Sequence, residues 1–378
     1  MFIDYEEEDN NFRFSYRHFI YIFIILHILV NHSFSKICVI LDVFLDKKLS
    51  LPSGMNNLTF AVSTILSALG KFLGIYISGS KKKIIVWSFF FNGLFLLFCV
   101  LSKSSYIFFI VRSLQGFVAG LQNSVLFGLL GTLKDCKSGF RNFTTISGVV
   151  SLLTGCLLYY LNPINMIYGL VVINIFSFFL FWIITPIKDK SFSFQAIDWQ
   201  SSWKIVQNKE FFLRTIFLGS FLGFVLLAIG QQKYIIMNYF NIKFDGLSNI
   251  LSSITFLSSI WISFFFQYHS IGLFNVLNFI CLFSVLLGLL TKSIYIFLIG
   301  IFLPFSCFSI INPIVLSEAT KLSSNTFLSS ALASCTRSFF TASVILIIPR
   351  ITSNIMVVSL SFMFFFSLIY TYKYHRNN

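Results

Sequence analysis

Twelve stretches of the chain run apolar for about 20 residues with no more than two charges in each, and that pattern leaves little choice of fold. Backbone amides in hydrocarbon have no water to bond, so such a stretch closes its hydrogen bonds internally, as a helix. The runs lie near 19–43, 55–78, 84–102, 105–130, 141–161, 164–186, 211–238, 247–268, 271–290, 294–316, 328–349 and 353–372. Hydrophobic residues make up 57% of the chain and charged residues 11%, against roughly 25% charged in a soluble domain. An all-α membrane protein with twelve transmembrane helices is expected. The widest break, 187–210, carries Lys188, Asp189, Lys190, Asp198, Lys204, Lys209 and Glu210 and divides the helices into two six-helix halves.

Orientation follows from the tendency of Lys and Arg to stay on the cytosolic side. With the N-terminus placed there, sixteen of the 27 Lys and Arg fall in cytosolic segments and six in external ones. Lys81, Lys82 and Lys83 then pin the inner end of the second helix. The expected organisation is a cytosolic tail at 1–18, a first half at 19–186, a central cytosolic loop at 187–210, a second half at 211–372 and a cytosolic tail at 373–378. The acidic patch Glu6–Asp9 precedes an apolar run too long for a cleavable leader, so a signal-anchor helix is expected. The multi-pass protein is expected in the plasma membrane rather than an internal one.

Two local patterns sharpen the fold. Gly74-Ile75-Tyr76-Ile77-Ser78-Gly79-Ser80-Lys81-Lys82-Lys83 follows the second run, and "RSLQGFVAG" places Arg112, Gly116 and Gly120 in the fourth. Glycines four apart share one helix face and permit close approach of a neighbour. With the count of runs and the central loop, these stretches resemble the major facilitator superfamily. The loop between its second and third helices reads G-x-x-x-D-x-x-G-R/K-R/K, and its fourth helix often carries R-x-x-x-G-x-x-x-G. Here Ser78 stands in place of the acid and Lys81 in place of the second glycine. The resemblance implies alternating access by rocking of the two halves, with Gly74, Ser78, Lys81, Lys82, Lys83, Arg112, Gly116 and Gly120 in gating or packing roles.

Apart from Arg141 and Arg214, counted with the cytosolic ends, five cations lie within the runs: Lys36, Lys71, Arg112, Lys233 and Arg337. A charge near the bilayer centre costs about 2.5–3.5 kcal/mol on insertion scales and tends to mark a pathway. His32 and Lys36 are four apart, as are His27 and Asn31, giving the first helix a polar stripe; Gln231, Gln232 and Lys233 extend the seventh. Both stripes are expected to face the space between the halves. None of the 13 Asp and Glu falls clearly in mid-membrane. A cavity lined by cations without acids attracts an anion. The arrangement is weakly similar to the organophosphate:phosphate antiporter branch, which pairs cations on the first and seventh helices and carries a K-F-x-x-G stretch near Lys71-Phe72-Leu73-Gly74.

The expected activity is secondary active or facilitative transport of a small organic or phosphorylated anion. Lys36, Lys71, Lys233 and Arg337 would neutralise it, and His32, Asn31, Gln231 and Gln232 would hydrogen-bond it. One rival is a proton-coupled sugar or drug transporter titrating His32 or Asp42; another is a non-transporting receptor or scaffold. Seven scattered Cys and five His form neither a metal site nor a disulfide framework. No phosphate-cradling glycine loop is present. No enzyme, cofactor or metal is therefore expected. The net charge of +14 suits anionic lipid headgroups rather than nucleic acid. The expected partners are a small-molecule substrate and membrane lipids, and the expected state is a monomer.

Overall fold

The structure, a computed structural model, describes residues 16–49, 55–77, 81–184, 199–241, 271–351 and 354–375. The regular elements among these residues are all helices: α1 (Tyr16–Leu49), α2 (Met55–Tyr76), α3 (Lys81–Leu101), α4 (Ser105–Gly131), α5 (Cys136–Tyr160), α6 (Pro163–Ile184), α7 (Trp199–Gln207), α8 (Lys209–Asn238), α9 (Ile271–Leu290), α10 (Ile294–Phe302), α11 (Pro304–Lys321), α12 (Thr326–Ile351) and α13 (Ile355–His375). They match eleven of the twelve apolar runs; the run at 247–268 lies outside the described residues. Among the described residues, eight spans are long and apolar enough to cross a membrane, with shorter apolar segments at 18–34 and 61–76.

Two differences from the sequence expectation have plain causes. The tenth run is not one helix but two, α10 and α11, parted at Leu303 with Pro304 opening the second. Proline lacks the amide hydrogen and its ring crowds the carbonyl four residues back, so the helix restarts there. The central break also contains structure: α7 occupies Trp199–Gln207. Its Trp199 packs edge-on to Phe72 and tilted to Tyr76 of α2, each at 5.7 Å between ring centres, and stacks on Trp203 at 6.3 Å.

Short connections make successive helices antiparallel. The ends near Lys83, Lys134, Lys137, Arg141, Lys209, Lys321 and Lys373 therefore share one side of the bundle, called the basic end below. Outward faces carry large apolar side chains, such as Phe176, Phe179 and Trp182 of α6, all exposed as lipid-facing residues are. Inward faces carry buried polar residues packed among large apolar ones such as Phe23, Phe89, Phe127 and Phe221. Buried hydroxyls bond carbonyls one turn back, as Thr144 does to Phe140, Thr154 to Val150 and Ser309 to Phe305, which satisfies them without a partner helix.

Glycines set the tightest contacts. A Cβ at Gly116 would strike the Ser63 carbonyl, and one at Gly120 would strike the Ser67 carbonyl, so α4 lies directly on the backbone of α2. The two halves meet where α12 packs on α2 and α4, and α11 on α5. At the basic end this seam is shut. Gly128 faces the Phe327 ring, Gly131 abuts the Thr326 carbonyl and Ser330, and the Ser330 hydroxyl donates to the Phe127 carbonyl at 2.5 Å.

Candidate functional site

Just inside that seam, two cations from opposite halves are buried together. Lys71 of α2 is 4% exposed and Arg337 of α12 is 8% exposed. The Lys71 ammonium donates to the Ser338 hydroxyl at 2.5 Å and to the Ser334 carbonyl at 3.4 Å, both on α12. Arg337 donates through one terminal nitrogen to Asn312 Oδ1 of α11 at 2.8 Å, and Asn312 donates in turn to Thr144 of α5 at 3.0 Å. Both cations lie against the ring of Phe127 of α4. The guanidinium carbon is 4.9 Å from its centre and the ammonium 5.8 Å. The ring face is the electron-rich surface a desolvated cation prefers.

Among the described residues, no carboxylate meets these cations. No Asp or Glu occurs in α2, α4, α5 or α12. The one carboxylate of α11, Glu318, ion-pairs with Arg214 of α8 and accepts from Tyr370 of α13 at 3.3 Å. Burying an uncompensated charge costs several kcal/mol. Hydroxyls, a carbonyl and one aromatic face offset part of that for the pair. Two donors remain unused: Arg337 Nε and the Ser334 hydroxyl are buried without a hydrogen-bond partner. Two like charges, two spare donors and no acid make a place where an anion is stabilised.

The sequence-predicted residues are distributed around this pair. His32 reaches Ser147 of α5 at 2.5 Å. Ser147 is three residues from Thr144 and so on the same face of α5, which sets His32 beside the cation pair. Asn31 points elsewhere, into the interior of the first half. Its amide donates to the His27 carbonyl and to Gln122 Oε1, each at 3.1 Å, and its oxygen accepts from Gln115 at 3.0 Å and Asn92 at 3.3 Å. Asn92 passes the network on to Asn174 of α6 at 3.3 Å. Arg112 is buried at the other end of it, donating to Gln115 with its guanidinium 5.0 Å from the Phe34 ring centre.

Gln231 lines a cavity of about 310 Å³ far from the basic end, with Asn238, Tyr239, Leu289 and Asn354. The backbones of Lys36, Gln232 and Lys233 lie in α1 and α8, and their side chains are outside the described residues, as is that of Lys81. Ser78 also lies outside them. Gly74 backs onto Ser124 of α4, and Lys82 and Lys83 open α3.

Phe127, Thr144, Asn312, Ser334 and Ser338 were missed by sequence reasoning. One signal was available: Ser330, Ser334 and Ser338 recur every four residues in α12, one turn-spaced polar row in an apolar run.

No protein-family model matches this sequence, and no curated protein does. Solved structures do resemble its fold. The human organic anion transporter MFSD10 (TETRAN) aligns with a TM-score of 0.73 at 11% identity, over 95% of this chain and 99% of that one. A bacterial homologue of the iron transporter ferroportin, in an outward-facing state with soaked iron, aligns at 0.63 and 12% identity, over 92% of this chain and 96% of that one.

Proposed function

We propose that this chain, which has the major facilitator fold, is a membrane transporter that carries a small organic anion between its two halves by alternating access. The carrying observation is the pair Lys71 and Arg337, buried from opposite halves with no carboxylate beside them among the described residues. An anion seated there would take the unused Arg337 Nε and Ser334 donors and neutralise both cations. Asn312, Thr144 and His32 would form the polar wall beside it. Lys36, Gln231, Gln232 and Lys233, toward the far ends of α1 and α8, would line the approach. The basic end is the cytosolic one, with both termini inside, in the plasma membrane, and the protein works as a monomer. The seam shut at Gly128, Gly131 and Ser330 is then the cytosolic gate in its closed position.

In this reading rocking and binding are one event. Lys71 belongs to one half, and its bonds to Ser334 and Ser338 belong to the other. An anion that takes over the Lys71 ammonium removes a cross-seam tie while bridging the same two helices. The test is uptake of labelled benzenesulfonate, succinate and inorganic phosphate into proteoliposomes, with glucose as the uncharged comparison. Saturable uptake of one or more anions, abolished in Arg337→Ala, is expected. Uptake of glucose alone, or anion uptake untouched by Arg337→Ala, would overturn the reading.

A further inference from the structure

Two polar atoms near the anion site have nothing to bond. The amide nitrogen of Gln122 on α4 and Nε2 of His27 on α1 belong to fully buried side chains, and neither has a hydrogen-bond partner among the described residues. A chain of hydrogen bonds forces this arrangement. The Asn31 amide nitrogen donates to the His27 carbonyl at 3.1 Å, and a carbonyl can only accept. The other end of Asn31 is fixed as well. Its oxygen takes Gln115 Nε2 at 3.0 Å, and Gln115 is oriented by Arg112, which can only donate, to Gln115 Oε1. The Asn31 nitrogen therefore meets the oxygen of Gln122, at 3.1 Å, and the Gln122 amide nitrogen points away with both hydrogens unspent. His27 Nδ1 lies 3.0 Å from that same oxygen and 3.1 Å from the Asn31 nitrogen. It can donate to the first or accept from the second, and in either tautomer Nε2 stays unpartnered.

These groups adjoin the cation pair. Lys71 is near enough for its charge to act on His27, and Asn123, beside the His27 ring, stands one turn before Phe127 on α4. Gln122 precedes Phe127 by five residues, about 7.5 Å along the helix. We propose that Gln122 is a specificity-determining residue of the anion site, its amide nitrogen taking an uncharged acceptor oxygen on the arm of the substrate. The inference rests on the anion reading above and narrows it. The donor is already stripped of water, so a substrate oxygen that reaches it gains the bond without that cost. The acceptor is neutral: Arg112, the cation of this network, is turned to Gln115 and the Phe34 ring, and a second anionic group here would stay uncompensated. The substrate class is an organic anion with an amide-like or ester-like oxygen about 7.5 Å from its charge.

Uptake of labelled 4-acetamidobenzenesulfonate into proteoliposomes tests this against 4-isopropylbenzenesulfonate, which has the same charge and nearly the same size but no oxygen on its arm. Wild type should half-saturate at about a tenfold lower concentration of the acetamido probe. In Gln122→Met the ratio of the two half-saturating concentrations should fall to about one, whereas damage to the fold alone would shift both probes together. Should that variant not fold, wild type supplies a second reading. There 3-acetamidobenzenesulfonate, whose carbonyl falls short of the same place, should half-saturate at about a tenfold higher concentration than the para probe. An acetamido probe held no better than the isopropyl one in wild type overturns the inference and leaves the anion reading standing. So does equal half-saturation by the para and meta probes, or a folded Gln122→Met protein that keeps the preference. Movement of none of these probes by wild type overturns the anion reading itself.

Discussion

Replacing Gly131 by valine should wedge the halves apart at the basic end. A Cβ at this position would lie 2.5 Å from the Ser330 Cβ and 2.6 Å from the Thr326 carbonyl oxygen, both on α12 in the opposite half. A carbonyl in a helix cannot step aside, so the helices must separate. Overpacking of this kind costs about 1–3 kcal/mol. The cost falls on the closed seam alone, because an open seam has no neighbour there. The closed population should therefore drop by about 5- to 150-fold relative to the open one. The native thiol of Cys335 reports it. Its Sγ donates to the Ala68 carbonyl at 3.3 Å, trapped between α12 and α2. With the other cysteines changed to serine, its reaction with a membrane-impermeant maleimide from the basic side should accelerate by that factor. Gly120→Val is the control. It strikes the Ser67 backbone within one half, and should lower thermal stability without opening the seam. A folded Gly131→Val protein labelled at the unaltered rate, or equal acceleration in both variants, would refute the assignment of this contact as a gate.

Two further perturbations follow from the same geometry. Asn92→Leu removes the amide that joins Asn31, Gln115 and Asn174 and leaves buried partners unsatisfied at about 1–3 kcal/mol; a lower melting temperature with intact seam labelling is expected, and an unchanged melting temperature would contradict it. Trp199→Ala strips α7 of its contacts with Phe72 and Tyr76. The same helix also packs on α8 and α12 of the second half, and aromatic pairs are worth about 0.5–1.5 kcal/mol beyond their area, so Cys335 labelling should rise severalfold, and no change would show that α7 does not hold the two halves together.

The helices were legible because hydrocarbon allows a chain so few choices, and a run of the right length is nearly a helix by necessity. Pro304 could have been read as a break and was not, because the apolar run continued across it. The α7 helix hid in a charged segment, although Trp199 and Trp203 stand one turn apart with Ile205 and Val206 following. Arg337 and Lys71 stood out as charges in grease, and the structure brings them together. Their surroundings did not stand out, since Ser, Thr and Asn are common in packed membrane helices and Phe127 is one of 51 phenylalanines. The polar stripe of α1 was visible but not its direction. Asn31 turns inward because Asn92, Gln115 and Gln122 await it on α3 and α4, and partners on other helices leave no periodic mark on α1.

The central claim is that Lys71 and Arg337 hold an anion between the halves. The most direct measurement is a structure of the protein soaked with 4-bromobenzenesulfonate, with the bromine located by its anomalous signal. The account predicts a peak beside Phe127, with the sulfonate oxygens toward Arg337 Nε and Ser334, and no peak in Arg337→Gln. A peak instead between the far ends of α1 and α8, near Lys36 and Lys233, and unaffected by Arg337→Gln, would contradict it.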